Sequence, residues 1–132
     1  MSPDKDKALC QKYPGIFRDR RADMRQTAMC WGFDCGDGWY GLIDDLCMKL
    51  LLISEACATP IVADQVKEKF GELRFYFHIE AGGDDWFGIA EDVVDMATAR
   101  SRHVCEACGA RGRLNDGPWY SVRCEKCREA GE

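Results

Sequence analysis

The chain has 132 residues, 46% of them hydrophobic and 31% charged, with a formal net charge of −5. A chain of this length buries one modest core rather than two, and the composition excludes intrinsic disorder. The acidic balance argues against a protein whose main task is gripping phosphate backbones and favours protein partners.

Ser2-Pro3 reads as a helix start, with Ser2 at the N-cap, Pro3 at the first helical position and Asp4 and Asp6 favourable to the helix dipole. This helix should stop near Lys12, before Tyr13-Pro14-Gly15. Residues 16–38 mix charges with the stretch MCWGFDCGDG, whose glycines and aspartates mark a turn-rich connector. From Trp39 the apolar residues Leu42, Ile43, Leu46, Cys47, Leu50, Ile53 and Cys57 recur at three- and four-residue steps, the stripe of a helix with one buried face. Asp37 and Gly38 stand where its cap belongs, and Thr59-Pro60 ends it.

Two strands follow, from about Ile61 to Lys69 and then back after Phe70-Gly71. In the second, Leu73, Phe75, Phe77 and Ile79 alternate with Glu72, Arg74, Tyr76 and His78, so the first set should face the core of an antiparallel sheet. After Ala81-Gly82-Gly83, Asp84 is placed to cap a helix to about Arg102, with Ile89, Ala90, Val93, Val94, Met96 and Ala97 inward. Its outward side carries Glu91, Asp92 and Asp95.

The tail carries the strongest chemical signal. Cys105-x2-Cys108-x15-Cys124-x2-Cys127 has the spacing of a structural zinc site, because a tight Cys-x-x-Cys turn aims two thiolates at one ion. Between the pairs, Arg111 to Leu114 and Trp119 to Arg123 read as a hairpin around Asn115-Asp116-Gly117. The module is a zinc ribbon or, if the tail after Cys127 is helical, a treble clef. Four thiolates fill a tetrahedral site and leave no position for water or substrate, so the Zn2+ is structural. The expected organisation is a body over 1–102 and a metal module over 103–132 packed on it. The fold class is α+β, a small antiparallel hairpin or sheet packed with helices.

Of the other five cysteines, Cys47 and Cys57 read as core residues. Cys30 and Cys35 have a looser spacing that allows a second metal site with Cys10, against burial as the default reading. His103 lies beside the first cysteine pair and His78 on the polar strand face, neither with an evident orienting partner for base catalysis. The zinc-deaminase signature, a phosphate-binding glycine loop, a nucleophile elbow and a His-Glu-x-x-His helix are all missing from the sequence, so no enzyme is expected.

Two surfaces compete as binding sites. Acidic residues gather at Asp34, Asp37, Asp44 and Asp45, and again at Asp84, Asp85, Glu91, Asp92 and Asp95. They read either as solvated helix faces and caps or as a negative surface for a basic partner. In the tail, Arg111 and Arg113, with Arg100, Arg102, Arg123 and Arg128, accompany Trp119 and Tyr120 in a set able to stack bases. The plainer expectation is that Trp119 packs the hairpin on the body and the arginines are solvated.

The segments MCWGFDCGDGWYGLIDDLC, VKEKFGELRFYFH and CEACGARGRL…WYSVRCEKC, in that order, resemble a group of small proteins encoded by bacteriophages and prophages. The resemblance covers most of the chain after about residue 10. It implies action in a bacterial host cytoplasm by binding a host protein or ribonucleoprotein complex, and the longest apolar run, LCMKLLLISEAC, interrupted by Lys49 and Glu55, is too short for membrane insertion to be expected. Inhibitors of CRISPR and other defence systems work by such binding. The reading is therefore a non-enzymatic inhibitor with structural zinc, and the alternative is a zinc-ribbon nucleic-acid-binding regulator.

Overall fold

The computed structural model describes residues 1–115 and 117–131. It is an α+β fold. Helix α1 spans Pro3–Lys12, with proline in its first turn and two aspartates favourable to the dipole. The Ser2 side chain makes no cap hydrogen bond; instead its backbone N–H donates to Asp37 Oδ1 at 2.6 Å. Asp37 is thereby taken from the capping role expected for it. Helix α2, Tyr40–Cys57, follows a 3-10 turn over Asp37–Trp39 and has no side-chain cap.

The buried stripe of α2 is Leu42, Ile43, Leu46, Cys47, Leu50 and Ile53, and Trp39 is fully buried before it. Cys57, expected on this face, is only half-buried because it closes the last turn. The helix ends at Ala58 in the left-handed conformation, before Thr59-Pro60.

Strands β2, Ile61–Lys69, and β3, Glu72–Ile79, form the expected antiparallel hairpin. Phe70 and Gly71 at its tip both have positive φ, the conformation of a tight two-residue hairpin turn. Leu73 and Phe75 are buried as expected, whereas Phe77 and Ile79 are half-buried at the margin of the core. A register shift between Ala63 and Gln65 leaves Asp64 as an extra residue in β2.

The connector over 16–38 is more structured than its turn residues suggest. Phe33–Asp34 forms β1 and pairs in parallel with β2 at Val66 and Lys67, so the sheet is mixed, in the order β1-β2-β3. Ile16, Phe17, Met29, Phe33 and Cys35 from this connector are all core residues. Phe17 meets Phe33 edge-on, with centroids 4.8 Å apart.

Helix α3 covers Phe87–Ser101 after a 3-10 turn over Asp84–Trp86, and Asp84 makes no side-chain cap. Its buried line is Ala90, Val94, Ala97 and Ser101. Ile89 and Met96, expected inward, are 50% and 63% exposed. The helix approaches the body along a narrow stripe of small residues, so the larger side chains at its margins stay outside. Ser101 accepts the Leu73 N–H at 2.9 Å through Oγ, and Thr98 Oγ1 donates to the Leu73 carbonyl at 3.2 Å, which ties α3 to β3.

The tail holds β4, Arg113–Leu114, paired antiparallel with β5, Val122–Arg123, and then α4, Glu125–Gly131. The strands are shorter than expected, two residues each, with a bridge between Val104 and Arg111 extending the pairing. Asp116, within the expected turn, lies outside the described residues.

Candidate metal centre and surrounding surfaces

The tail turns back on itself at Gly109, whose φ is +86°, a conformation that favours glycine. Gly109 N–H reaches the Cys105 carbonyl at 2.8 Å and Cys105 N–H reaches the Ala110 carbonyl at 2.7 Å, which closes the first Cys-x-x-Cys knuckle. The second pair comes from the entry to α4, where Cys127 N–H points to Cys124 Sγ at 3.4 Å. The four sulfurs of Cys105, Cys108, Cys124 and Cys127 lie within 4.8 Å of one another. Cys108 and Cys124 sulfurs are 3.7 Å apart. A tetrahedral zinc with metal–sulfur bonds of about 2.3 Å requires sulfurs roughly 3.8 Å apart, so the donor set fits one such ion.

Cys105 is fully buried and Cys108 is exposed, so the centre sits between the body and solvent. Burial raises the Cys105 thiol pKa, but the backbone N–H groups of Cys124, Cys108 and Ala107 more than offset it and bring it down to about 6. Hydrogen bonding to the sulfurs of Cys124, Cys108 and Cys105 pushes Cys127 up to about 12. A cation among these sulfurs would favour all four thiolates.

The knuckle is seated on the glycine turn that leads into α2. Gly38 N–H donates to the Glu106 carbonyl at 2.7 Å, Gly36 N–H donates to the Glu106 carboxylate at 2.9 Å, and Trp39 Nε1 donates to the Val104 carbonyl at 2.9 Å. Glu106 N–H in turn reaches the Val122 carbonyl at 2.9 Å, locking knuckle to hairpin. At the far side, Gly71 of the β2–β3 turn lies against Leu114, and Phe70 meets Tyr120 edge-on with centroids 5.9 Å apart.

The remaining cysteines do not assemble. Among the described residues only the four tail cysteines form a metal-sized group. Cys35 lies in the core, where burial pushes its thiol up to about 12, and Cys10 and Cys30 are half-buried against Asp6 and the Thr27 carbonyl. The second site allowed for Cys10, Cys30 and Cys35 is therefore not formed. His103 is exposed and stands outside the sulfur cluster. His78 Nδ1 lies 2.8 Å from Asp64, and Glu72 is held by Arg74 and Arg102 at 3.0 and 2.6 Å.

The two candidate binding surfaces separate. Asp84 and Asp85 follow Gly83, which packs on Ile79 and Thr59, whereas Trp119, Tyr120 and Arg113 belong to the hairpin at the Phe70-Gly71 end. The eight residues of β3 span the interval, roughly 25 Å at about 3.3 Å per residue. Trp119 is 83% exposed, which overturns the expectation that it packs the hairpin on the body; the body contacts are made by Leu114 and Tyr120 instead.

The arginines divide likewise. Arg100 pairs with Asp45, Arg102 pairs with Glu72, and Arg128 bonds the Arg113 and Leu114 carbonyls, while Arg111 and Arg113 are exposed without an ion pair among the described residues. Of the first acidic group, Asp37, Asp44 and Asp45 are engaged within the fold. Asp84, Asp85, Glu91, Asp92 and Asp95 are all exposed.

No family model, curated protein or solved structure matches the chain. Among the described residues, no helix is long and apolar enough to cross a membrane.

Proposed function

We propose that the chain is a non-enzymatic binding protein of phage or prophage type that inhibits a host protein complex in the bacterial cytoplasm, with anti-CRISPR and other anti-defence activity as its class. In this reading Cys105, Cys108, Cys124 and Cys127 hold one structural Zn2+. The order of knuckle, hairpin and a helix carrying Cys127 favours a treble clef over a ribbon. A closed four-sulfur shell supports a fastening role, since it leaves the ion no place for substrate.

The observation that carries the binding role is the difference between the two acidic groups. In the first group Asp37, Asp44 and Asp45 are spent on internal partners and Asp34 alone is left exposed, whereas Asp84, Asp85, Glu91, Asp92 and Asp95 all face solvent with no ion pair among the described residues. Such a surface steers and orients a basic protein partner. The test is capture from bacterial lysate on the immobilised, metal-loaded chain at low and high salt. Specific, salt-sensitive retention of a host complex supports the reading, and retention of free nucleic acid alone sinks it.

The alternative, a nucleic-acid-binding regulator, is favoured by one observation, the exposure in one module of Trp119, Tyr120, Arg111 and Arg113, the two arginines without an ion pair among the described residues. Loss of nucleic-acid retention in a Trp119→Ala, Arg113→Ala chain would support that alternative.

A further inference from the structure

We propose that the open edge of β3 is a strand-docking groove that receives an extended, basic segment of a protein partner; this rests on the binding-protein reading above and specifies its mode. In an antiparallel ladder, alternate residues turn their main-chain groups toward the paired strand and away from it. Glu80 N–H reaches the Pro60 carbonyl, so even-numbered residues of β3 face β2. The Leu73 main chain faces the other way, where Ser101 and Thr98 of α3 satisfy both its groups. By the same alternation, the N–H and C=O of Phe75 and Phe77 point to the open edge. Among the described residues, no side-chain or loop hydrogen bond reaches them.

Edges are normally blunted by lysine, proline, a bulge or a covering helix, and α3 takes up the main-chain groups of β3 at Leu73. Phe75-Tyr76-Phe77 carries no lysine or proline, and the register shift of the sheet falls on β2 instead. Beside the edge, β3 and α3 enclose a groove of about 660 Å³. Phe77 stacks on Phe87 at its end, with centroids 5.2 Å apart, giving an apolar seat. Its α3 wall presents Glu91 and Asp95, one helical turn apart and exposed.

The groove's four carboxylates outnumber its two arginines, Arg74 and Arg102, and both arginines are already held by Glu72. Arg74 Nε beside it is a buried donor with no acceptor among the described residues. An extended chain adding to β3 gains main-chain hydrogen bonds, and alternate side chains reach the apolar seat and the acidic wall. A second copy of this chain would bring like charges together at Glu91 and Asp95, which disfavours edge-to-edge pairing.

The test uses the full, zinc-loaded chain and a capped peptide of alternating lysine and valine as probe, read by amide NMR and hydrogen exchange. The expected result is saturable binding that slows exchange at Phe75 and Phe77. Backbone N-methylation of the peptide at alternate residues should weaken it about tenfold, as should Glu91→Lys with Asp95→Lys, a pair of exposed substitutions whose folding is checked by an unchanged Tm. The proposal is overturned by no binding, by equal binding of the N-methylated peptide, or by concentration-dependent protection of the edge without peptide, which would mean self-pairing. If the lysate partner is retained equally by the wild-type and charge-reversed chains, the groove is refuted while the binding-protein reading survives. If peptide docks but no host protein is retained, the inhibitor reading fails alone.

Discussion

Gly38 and Glu106 are joined backbone to backbone, the Gly38 N–H reaching the Glu106 carbonyl across 2.7 Å with no space left for a side chain. A Cβ on Gly38 would sit 2.2 Å from the Cys105 carbonyl oxygen and 2.6 Å from both the Glu106 oxygen and the Gly109 nitrogen. Gly36 is confined in the same way, with the Glu106 oxygen 2.3 Å from its missing Cβ. The glycine turn before α2 and the first cysteine knuckle are thus one joint.

Gly38→Ala should therefore destabilise the protein by about 2–4 kcal/mol, because backbone rather than a movable side chain must give way. Gly41→Ala is the internal control. Gly41 lies in the first turn of α2 with nothing within 4 Å of an added Cβ, and alanine there should stabilise by about 0.5–1 kcal/mol. Denaturant unfolding of both variants reads the difference. Equal effects of the two substitutions would show that the joint is not packed as described.

Ser101 is fully buried at the end of α3, accepting from Leu73 N–H and donating to the Thr98 carbonyl. Ser101→Ala leaves a β3 donor buried without an acceptor, a loss of about 1–3 kcal/mol. Ser101→Thr keeps the hydroxyl and separates hydrogen bonding from packing. Faster amide exchange at Leu73 in the alanine variant alone is the expected signature.

The parts of this fold legible in the sequence are those with a local period. The α2 stripe from Leu42 to Ile53 and the alternation from Glu72 to Ile79 each repeat often enough for one buried face to be identified. The cysteine spacing was equally legible, because a knuckle is a local turn. β1 was not, since two residues carry no period and their partner, Val66, is far along the chain. Ile89 and Met96 misled because apolar periodicity does not reveal how wide a helix contact is, and Ala90, Ala97 and Ser101 make this one narrow. The joint of Gly36 and Gly38 with Glu106 spans about 70 residues and leaves in the sequence only glycines that also suit an ordinary turn.

Removal of the metal should act through that joint. The hairpin strands of the tail are two residues long, too short to hold the module alone, so chelation should release amides of residues 104–130 before those of α2, β2 and β3. Trp39 Nε1 loses its acceptor when Val104 departs, so its indole proton should begin to exchange at the same time. A loss of about 3 kcal/mol lowers Tm by roughly 10–15 °C in a domain of this size. Simultaneous release of the whole chain would mean that the body has no stability of its own.

Asp44 supplies the pH dependence. The Tyr13 hydroxyl, 2.6 Å from Oδ1, holds its carboxyl below the usual carboxylate range, helped by Lys12. Burial, together with the same contact, pushes the Tyr13 hydroxyl pKa up. A carboxyl depressed in the folded state binds its proton less tightly there than in the unfolded chain. Its stabilisation is therefore complete above the ordinary carboxylate pKa of about 4 and is lost as pH falls through the lower folded value. Asp44→Asn should cost about 1 kcal/mol at pH 7, a figure kept small by the partial exposure of the Lys12 pair. The difference from wild type should close progressively below pH 4. Tyr13→Phe removes the same hydroxyl and should flatten the same limb of the stability curve, while Lys12→Ala should leave most of it in place. A deficit of Asp44→Asn that persisted unchanged to pH 2 would assign the cost to packing instead of charge.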